Sequence, residues 1–174
     1  MLAALFAALI AVGGLVALPF WGPVPFTLQV FFVLLAGLVL GPRLGALAVT
    51  LYLLLGLVAP VYAQGTSGLG VLLGPTGGYL VGFVVAAAVA GLLAGRRASR
   101  PRLLLAAMIA LVPIYVLGAA WLAWQLDIED VRTVLLEGVI PFVPLDVLKA
   151  FAATLVAAAL VNLPLGLGAP ASSR

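Results

Sequence analysis

Residues 24–49 read VPFTLQVFFVLLAGLVLGPRLGALAV, and this stretch decides what kind of chain it is. Arg43 is its only charge, and the run is otherwise almost wholly apolar until Gly41-Pro42 interrupts it. Proline lacks an N–H and glycine reaches positive φ, so the pair ends one helix and starts another. The spacing predicts apolar helices over 27–40 and 44–61. Such a pair has no polar face to turn to water. The whole chain agrees: of 174 residues 66% are hydrophobic and 7% charged, with a mean hydropathy of +1.38. Soluble domains carry about 25% charged residues, so the bilayer must be the solvent of this chain.

A spanning helix needs about 20 mostly apolar residues. Working outward from the quoted stretch, further candidates fall at 2–18, 77–95, 103–124 and 144–164, six in all. The helix over 27–40 is short for a full crossing and is expected to tilt or to span only in part. Pro113 predicts a kink in the fifth helix. Segment 127–140 has charges on one side and Val131, Val134, Leu135 and Val139 at helical spacing, the pattern of a short amphipathic helix lying at the interface. The start of the chain has no basic n-region or cleavage site, so its first helix is expected to be retained. The expectation is an all-α integral membrane protein. It is a six-transmembrane-helix bundle with a Gly-rich outer loop between helices 3 and 4 and an interfacial helix between helices 5 and 6. Residues 1–168 form one domain, and 169–174 form a disordered tail.

Basic residues set the orientation. With the N-terminus in the cytoplasm, inner segments hold Arg43, Arg96, Arg97, Arg100, Arg102 and Arg174, and outer ones hold only Arg132. That is a strong positive-inside bias. Asp127, Glu129, Asp130 and Glu137 then lie outside, and Trp21, Trp121 and Trp124 lie near the outer interface. The net charge of +3 thus concerns orientation; no basic run interleaved with aromatics points to nucleic acid. Cys and His are absent, which removes disulfides, thiol and imidazole chemistry and nearly all transition-metal sites. Gly68-Leu69-Gly70 follows no strand, and no Lys-Ser/Thr pair follows the glycines, so neither a dinucleotide fingerprint nor a P-loop is present.

Three stretches carry candidate function. The first is PFVPLDVLKA, residues 141–150, with Asp146 and the only lysine, Lys149, three apart on one helical face. The helix dipole favours Asp146 in a first turn and disfavours Lys149 there. Two readings stand: an intrahelical ion pair or snorkelling lysine, and a binding site facing the bundle interior and opening outward. An aspartate accepts from ligand N–H groups, and a lysine donates to a carbonyl or pairs with a carboxylate. The second stretch is VYAQGTSGLGVLLGPTGGYLVGF, residues 61–83, an uncharged glycine-rich loop able to fold over a cavity or to serve as a plain connector. Gln64 and Tyr79 are its longest-reaching polar side chains, and Gly74 opens its GPTGGY run. The third is Thr27-Leu28-Gln29; an amide inside a membrane helix needs a partner, from the fold or from a ligand. Most outer aromatics, such as Trp121 and Phe142, belong to an interfacial belt, with one or two left to line an apolar slot. In the first helix, Ala3, Ala7 and Ala11, with Ala4 and Ala8, form two small-xxx-small rows suited equally to packing within the chain and to docking another membrane protein.

Together VPFTLQVFFVLLAGLVLGPRLGALAV, GLGVLLGPTGGYLVGF and PFVPLDVLKA resemble the BioY family, the biotin-capturing S components of energy-coupling factor (ECF) transporters, over about Val24 to Phe151. The resemblance implies six helices, both termini cytoplasmic, in the plasma membrane of a prokaryote. It implies an outward-facing biotin site with no covalently bound cofactor and no metal. The family's Asp-x-x-Lys falls on Asp146 and Lys149, its GPTGGY on Gly74 to Tyr79, and a position often held by asparagine on Gln64. It also implies partners: a transmembrane T component, docked on the alanine row Ala3, Ala7 and Ala11, and two ATPase subunits. The ligand set is then Asp146, Lys149, Gln64, Tyr79, Gln29 and Gly74, with no catalytic residue. Alternatives are an S component for riboflavin or thiamine, a membrane-embedded enzyme using Asp146, Gln29 and Tyr79, and a channel or scaffold subunit.

Overall fold

The structure, a computed structural model, describes residues 1–18, 23–95 and 98–161. The expected tail at 169–174, together with Phe20, Trp21, Arg96 and Arg97, lies outside the described residues. The chain is helical almost throughout. Helix α1 covers Leu2–Leu15, α2 Gln29–Gly56, α3 Leu69–Leu72, α4 Gly77–Ala94, α5 Arg100–Leu126, α6 Val131–Gly138 and α7 Val143–Val161. Four of these, α2, α4, α5 and α7, are long and apolar enough to cross a membrane, and α1 is a shorter apolar helix.

Helix α2 is folded in two. Gly41 has φ +79 and ψ 178, and Pro42 follows it. A positive φ is cheap only for glycine, and Pro42 has no N–H to continue the ladder. Beyond the break the chain reverses. Gln29 Nε2 donates to the Tyr52 hydroxyl, although these residues are 23 apart in sequence; a straight helix would hold them roughly 35 Å apart at 1.5 Å per residue. A Cβ on Gly45 would lie 2.9 Å from Gly37 Cα, so the two arms touch near the turn. The expected break at Gly41-Pro42 is therefore a hairpin bend.

The hairpin packs on α4 by backbone contact. A Cβ on Gly37 would collide with the Ala87 carbonyl, and one on Gly91 with the Gly41–Pro42 peptide. Lipid supplies no hydrophobic force between helices, so close approach at small residues is what holds them. Helix α4 crosses α5 in the same way. A Cβ on Gly82 would lie 2.8 Å from Ile114 Cα, and Gly78 and Gly118 receive Trp121 and the Tyr79 ring. Helix α5 continues through Pro113 as one helix. At its start Arg102 Nε donates to the Leu93 carbonyl at the end of α4, 2.8 Å away.

The first helix is shorter than its apolar run. It ends at Leu15, and Ala17–Leu18 (β1) pair antiparallel with Phe26–Thr27 (β2), register Ala17 to Thr27 and Leu18 to Phe26. The small ribbon corrects the expectation of helix to residue 18 and of a helix start at 27. Two-residue strands leave no period in sequence. Helix α1 also turns Ala3, Ala7 and Ala11 inward, where all three are buried with Phe6 and Ile10 against the rest of the chain. The alanine row therefore serves close packing within the molecule and is not a free docking surface. Asp130 caps α6, accepting from the Arg132 and Thr133 amides and the Thr133 hydroxyl at 3.1, 3.2 and 2.7 Å. The Thr133 hydroxyl and the Arg132 amide hold its carboxyl below the usual carboxylate range.

The connections 23–28, 57–76 and 127–142 gather at one end of the bundle. Trp121 Nε1 donates to the Gly74 carbonyl at 2.9 Å and the Tyr79 hydroxyl to the Gly138 carbonyl at 2.8 Å. Residues 41–43 lie at the other end, beside the end of α4. Replacing Gly91 with Leu should separate the hairpin from α4 and lower stability by about 1–3 kcal/mol, the usual range for overpacking. Thermal unfolding in detergent measures it, with Gly70→Ala, where a Cβ meets nothing within 4 Å, as the variant expected to melt like the wild type.

Candidate functional site

The sequence puts Asp146 and Lys149 on one face of α7, and that face points inward: they are 4% and 8% exposed. Neighbouring Leu145, Val147 and Leu148 are exposed to the outside of the bundle. A charge at mid-membrane costs about 2.5–3.5 kcal/mol on insertion scales, so the pair needs compensation. It is found in full. Lys149 Nζ donates to Asp146 Oδ1 at 2.7 Å and to the Thr27 carbonyl at 2.6 Å. It also stands 3.7 Å from the centroid of the Phe26 ring, in cation–π geometry. The second carboxylate oxygen, Asp146 Oδ2, accepts from the Tyr115 hydroxyl at 2.7 Å. The β1–β2 ribbon presents both Phe26 and the Thr27 carbonyl, so the ribbon explains how an ammonium near the start of α7 is held.

These groups form one wall of a cavity of about 600 Å³, counting the part open to solvent. Its other walls are mostly apolar, with Val30, Leu80, Phe83 and Ile114 from α2, α4 and α5. Val71 of α3 and Ala63 come from the 57–76 connection, which thus reaches over the chamber. Among the described lining residues Lys149 is the one cation and Asp146 the one anion. Phe26 and Phe142 stack at 6.3 Å, with ring planes 8° apart, beside the pair.

A second polar cluster faces the same chamber. The Thr27 hydroxyl donates to Gln29 Oε1 at 2.9 Å, and Gln29 Nε2 donates to the Tyr52 hydroxyl. The partner that Gln29 requires is thus supplied by the fold. Tyr62 packs its ring edge-on against Tyr52 at 5.6 Å and donates to the Leu53 carbonyl. Among the described residues no buried side-chain nitrogen or oxygen lacks a partner.

The structure thus brings Asp146, Lys149, Gln29 and Tyr79 to the cavity and leaves two expected residues out of it. Gln64 is exposed, in a left-handed turn at φ 58, and does not line the chamber. Gly74 stands back from it, its carbonyl taken by Trp121. Tyr79 lines it with its ring, while its hydroxyl is committed to Gly138. Sequence reading missed Tyr115 and the Thr27 carbonyl. A tyrosine in the middle of an apolar helix needs a hydroxyl partner, the reasoning applied to Gln29, and that signal was available for Tyr115. A backbone carbonyl leaves none.

The model of the BioY family matches residues 1–164. The chain is 46% identical to "Biotin transporter BioY" of Thermotoga maritima, over 92% of this chain and 94% of that protein. It is 44% identical to "Probable biotin transporter BioY" of Pyrococcus horikoshii, over 90% and 91%. Among solved structures it is similar to the S-component for biotin from an ECF-type ABC transporter, with a TM-score of 0.83, 27% identity, and coverage of 93% of this chain and 89% of that one.

Removing one charge of the pair strands the other. Asp146→Ala should therefore destabilise the ligand-free protein by about 3–5 kcal/mol, the range for a broken buried ion pair. The double variant Asp146→Ala/Lys149→Met should recover much of that loss. Detergent melting curves of the single and double variants check this. Equal losses in both would show that the pair is not held as a unit.

Proposed function

The chain belongs to the BioY family, and on that premise we propose a mode of action for it. It takes up biotin, as the substrate-binding subunit of an ECF-type ABC transporter, and it is not an enzyme. The observation that carries the site is the buried Asp146–Lys149 pair set in an otherwise apolar chamber.

Unspent hydrogen-bonding capacity favours one ligand pose. Lys149 makes two hydrogen bonds, its remaining N–H being held only by the weaker face of the Phe26 ring, and each oxygen of Asp146 accepts one bond. The cluster therefore offers one donor and spare acceptor positions on both oxygens. A ureido ring offers one carbonyl and two N–H groups, which complements that set. A carboxylate on Lys149 would instead stand beside the Asp146 carboxylate, and like charges so close repel. Biotin thus places its ureido ring on the pair, its fused rings and chain against Val30, Leu80, Phe83 and Ile114, and its own carboxylate toward the opening. Gln29 and Tyr79 shape the wall. Gln64 and Gly74 make no contact in this pose.

The bundle forms one domain of six passes, counting the two arms of α2 separately, with α6 at the outer interface. The arginine bias supports cytoplasmic termini and a chamber on the outer side, and the family supports the plasma membrane of a prokaryote. The connection bearing α3 acts as its cover. The energy comes from a T component and two ATPase subunits. Any contact of α1 with such a partner falls on the exposed face carrying Leu5 and Val12, since Ala3, Ala7 and Ala11 are buried.

Titration of the purified protein tests the reading. Biotin should bind, and riboflavin and thiamine should not. Lys149→Ala should weaken biotin by about 2–5 kcal/mol, as for other buried charge partners removed from a binding site. Gln64→Ala should bind as the wild type does. Undiminished biotin affinity in Lys149→Ala would refute the site.

A further inference from the structure

We propose that Tyr115 is a positioning residue of the biotin site. Tyr115 lines the chamber with its ring, but its hydroxyl is committed to the Asp146 carboxylate, so that Tyr115 governs recognition of the ureido ring through Asp146 and without a hydrogen bond of its own to the ligand. The proposal rests on the biotin pose given above.

An aspartate carboxylate turns readily about χ2, because that torsion is broad and roughly two-fold. Lys149 alone holds only Oδ1, and it does so from a long, flexible stem on the same helix. A second bond, to the other oxygen and from another helix, removes the remaining freedom. Tyr115 supplies it from α5, 31 residues away in sequence. Its hydroxyl proton is spent on Oδ2 and is not available to a ligand.

The placement of Tyr115 is itself rigid. On its helix, Ile114 sits against Gly82, and Gly118 sits under the Tyr79 ring. Both contacts are too close to admit a Cβ on the glycine without displacement. The α4–α5 crossing thus anchors the turn that carries Tyr115. The other tyrosine hydroxyls are turned to different tasks: Tyr62 and Tyr79 donate to backbone carbonyls, and Tyr52 accepts from Gln29. Tyr115 is the one tyrosine bonded to a charged group of the chamber.

Hydrogen bonds to charged groups are the strong ones, and a dry site strengthens them. Losing this one leaves a carboxylate that must be reordered whenever the ligand binds. Tyr115→Phe keeps the ring and removes only the hydroxyl. Three ligands are titrated against wild type and Tyr115→Phe: biotin and its two mono-N-methyl ureido derivatives. Biotin affinity should fall about tenfold or more. The preference for biotin over the derivative methylated on the nitrogen facing Asp146 should shrink by a similar factor, while the ligand-free protein, having lost a bond to a buried carboxylate, should melt below the wild type yet still fold. An equal loss for all three ligands would assign Tyr115 a merely structural role and overturn the proposal, as would unchanged biotin affinity. A wild-type protein that bound no biotin would instead defeat the functional reading on which the proposal stands.

Discussion

A single ammonium, Lys149 Nζ, joins three parts of this protein that are remote in sequence. It is bonded to Asp146 on its own helix and to the Thr27 carbonyl of the β1–β2 ribbon. Through Asp146 it is linked to Tyr115 on α5. Each bond answers a cost. An ammonium in apolar surroundings must be neutralised and its donors occupied, and a carboxylate needs acceptors filled on both oxygens. Because the partners come from different elements, compensating the charges also fixes where those elements stand. The ribbon, the start of α7 and the middle of α5 then frame one wall of the chamber. The bonded pair also lines the chamber, the one place in its wall where opposite charges stand among the described lining residues.

The rest of the bundle keeps that wall steady by a different means. Its helices carry few polar groups, and lipid gives apolar side chains no reason to prefer one another. Approach of backbones replaces that force. Gly37 and Gly91 bring the α2 hairpin onto α4, and Gly78, Gly82 and Gly118 bring α4 onto α5. Helix α1 comes as close at Gly13 and Gly14, which face Phe32, Leu28 and Gln29, and buries Ala3, Ala7 and Ala11 on its inward side. Small residues at such crossings leave little room for adjustment, which suits a site whose polar groups must hold their directions.

Much of this was legible in sequence, and the parts that were not have physical reasons. Long apolar runs bounded by glycine and proline marked α4 and α7 to within a few residues, because lipid leaves the backbone few choices other than helix. Gly41-Pro42 marked the hairpin bend. The three-residue spacing of Asp146 and Lys149 put both on one face, and the expense of burying them suggested that the face was interior. Spacing gives a face but not a neighbour, however. Three alanines cannot say whether they meet their own chain or another. Gln64, in a loop, had no periodic constraint and turned outward. The ribbon at 17–18 and 26–27 is too short for any alternation to register, so the Thr27 carbonyl was hidden, and with it the reason a lysine tolerates the wrong end of a helix dipole.

The central claim is that the Asp146–Lys149 pair receives the ureido ring and leaves the carboxylate of biotin toward the opening. A crystal structure of the biotin-bound protein tests it most directly. The account predicts the ureido oxygen within hydrogen-bonding distance of Lys149 Nζ, a ureido N–H on Asp146, and the Tyr115–Asp146 bond intact. Density showing the biotin carboxylate on Lys149, or the ligand outside this chamber, would contradict it.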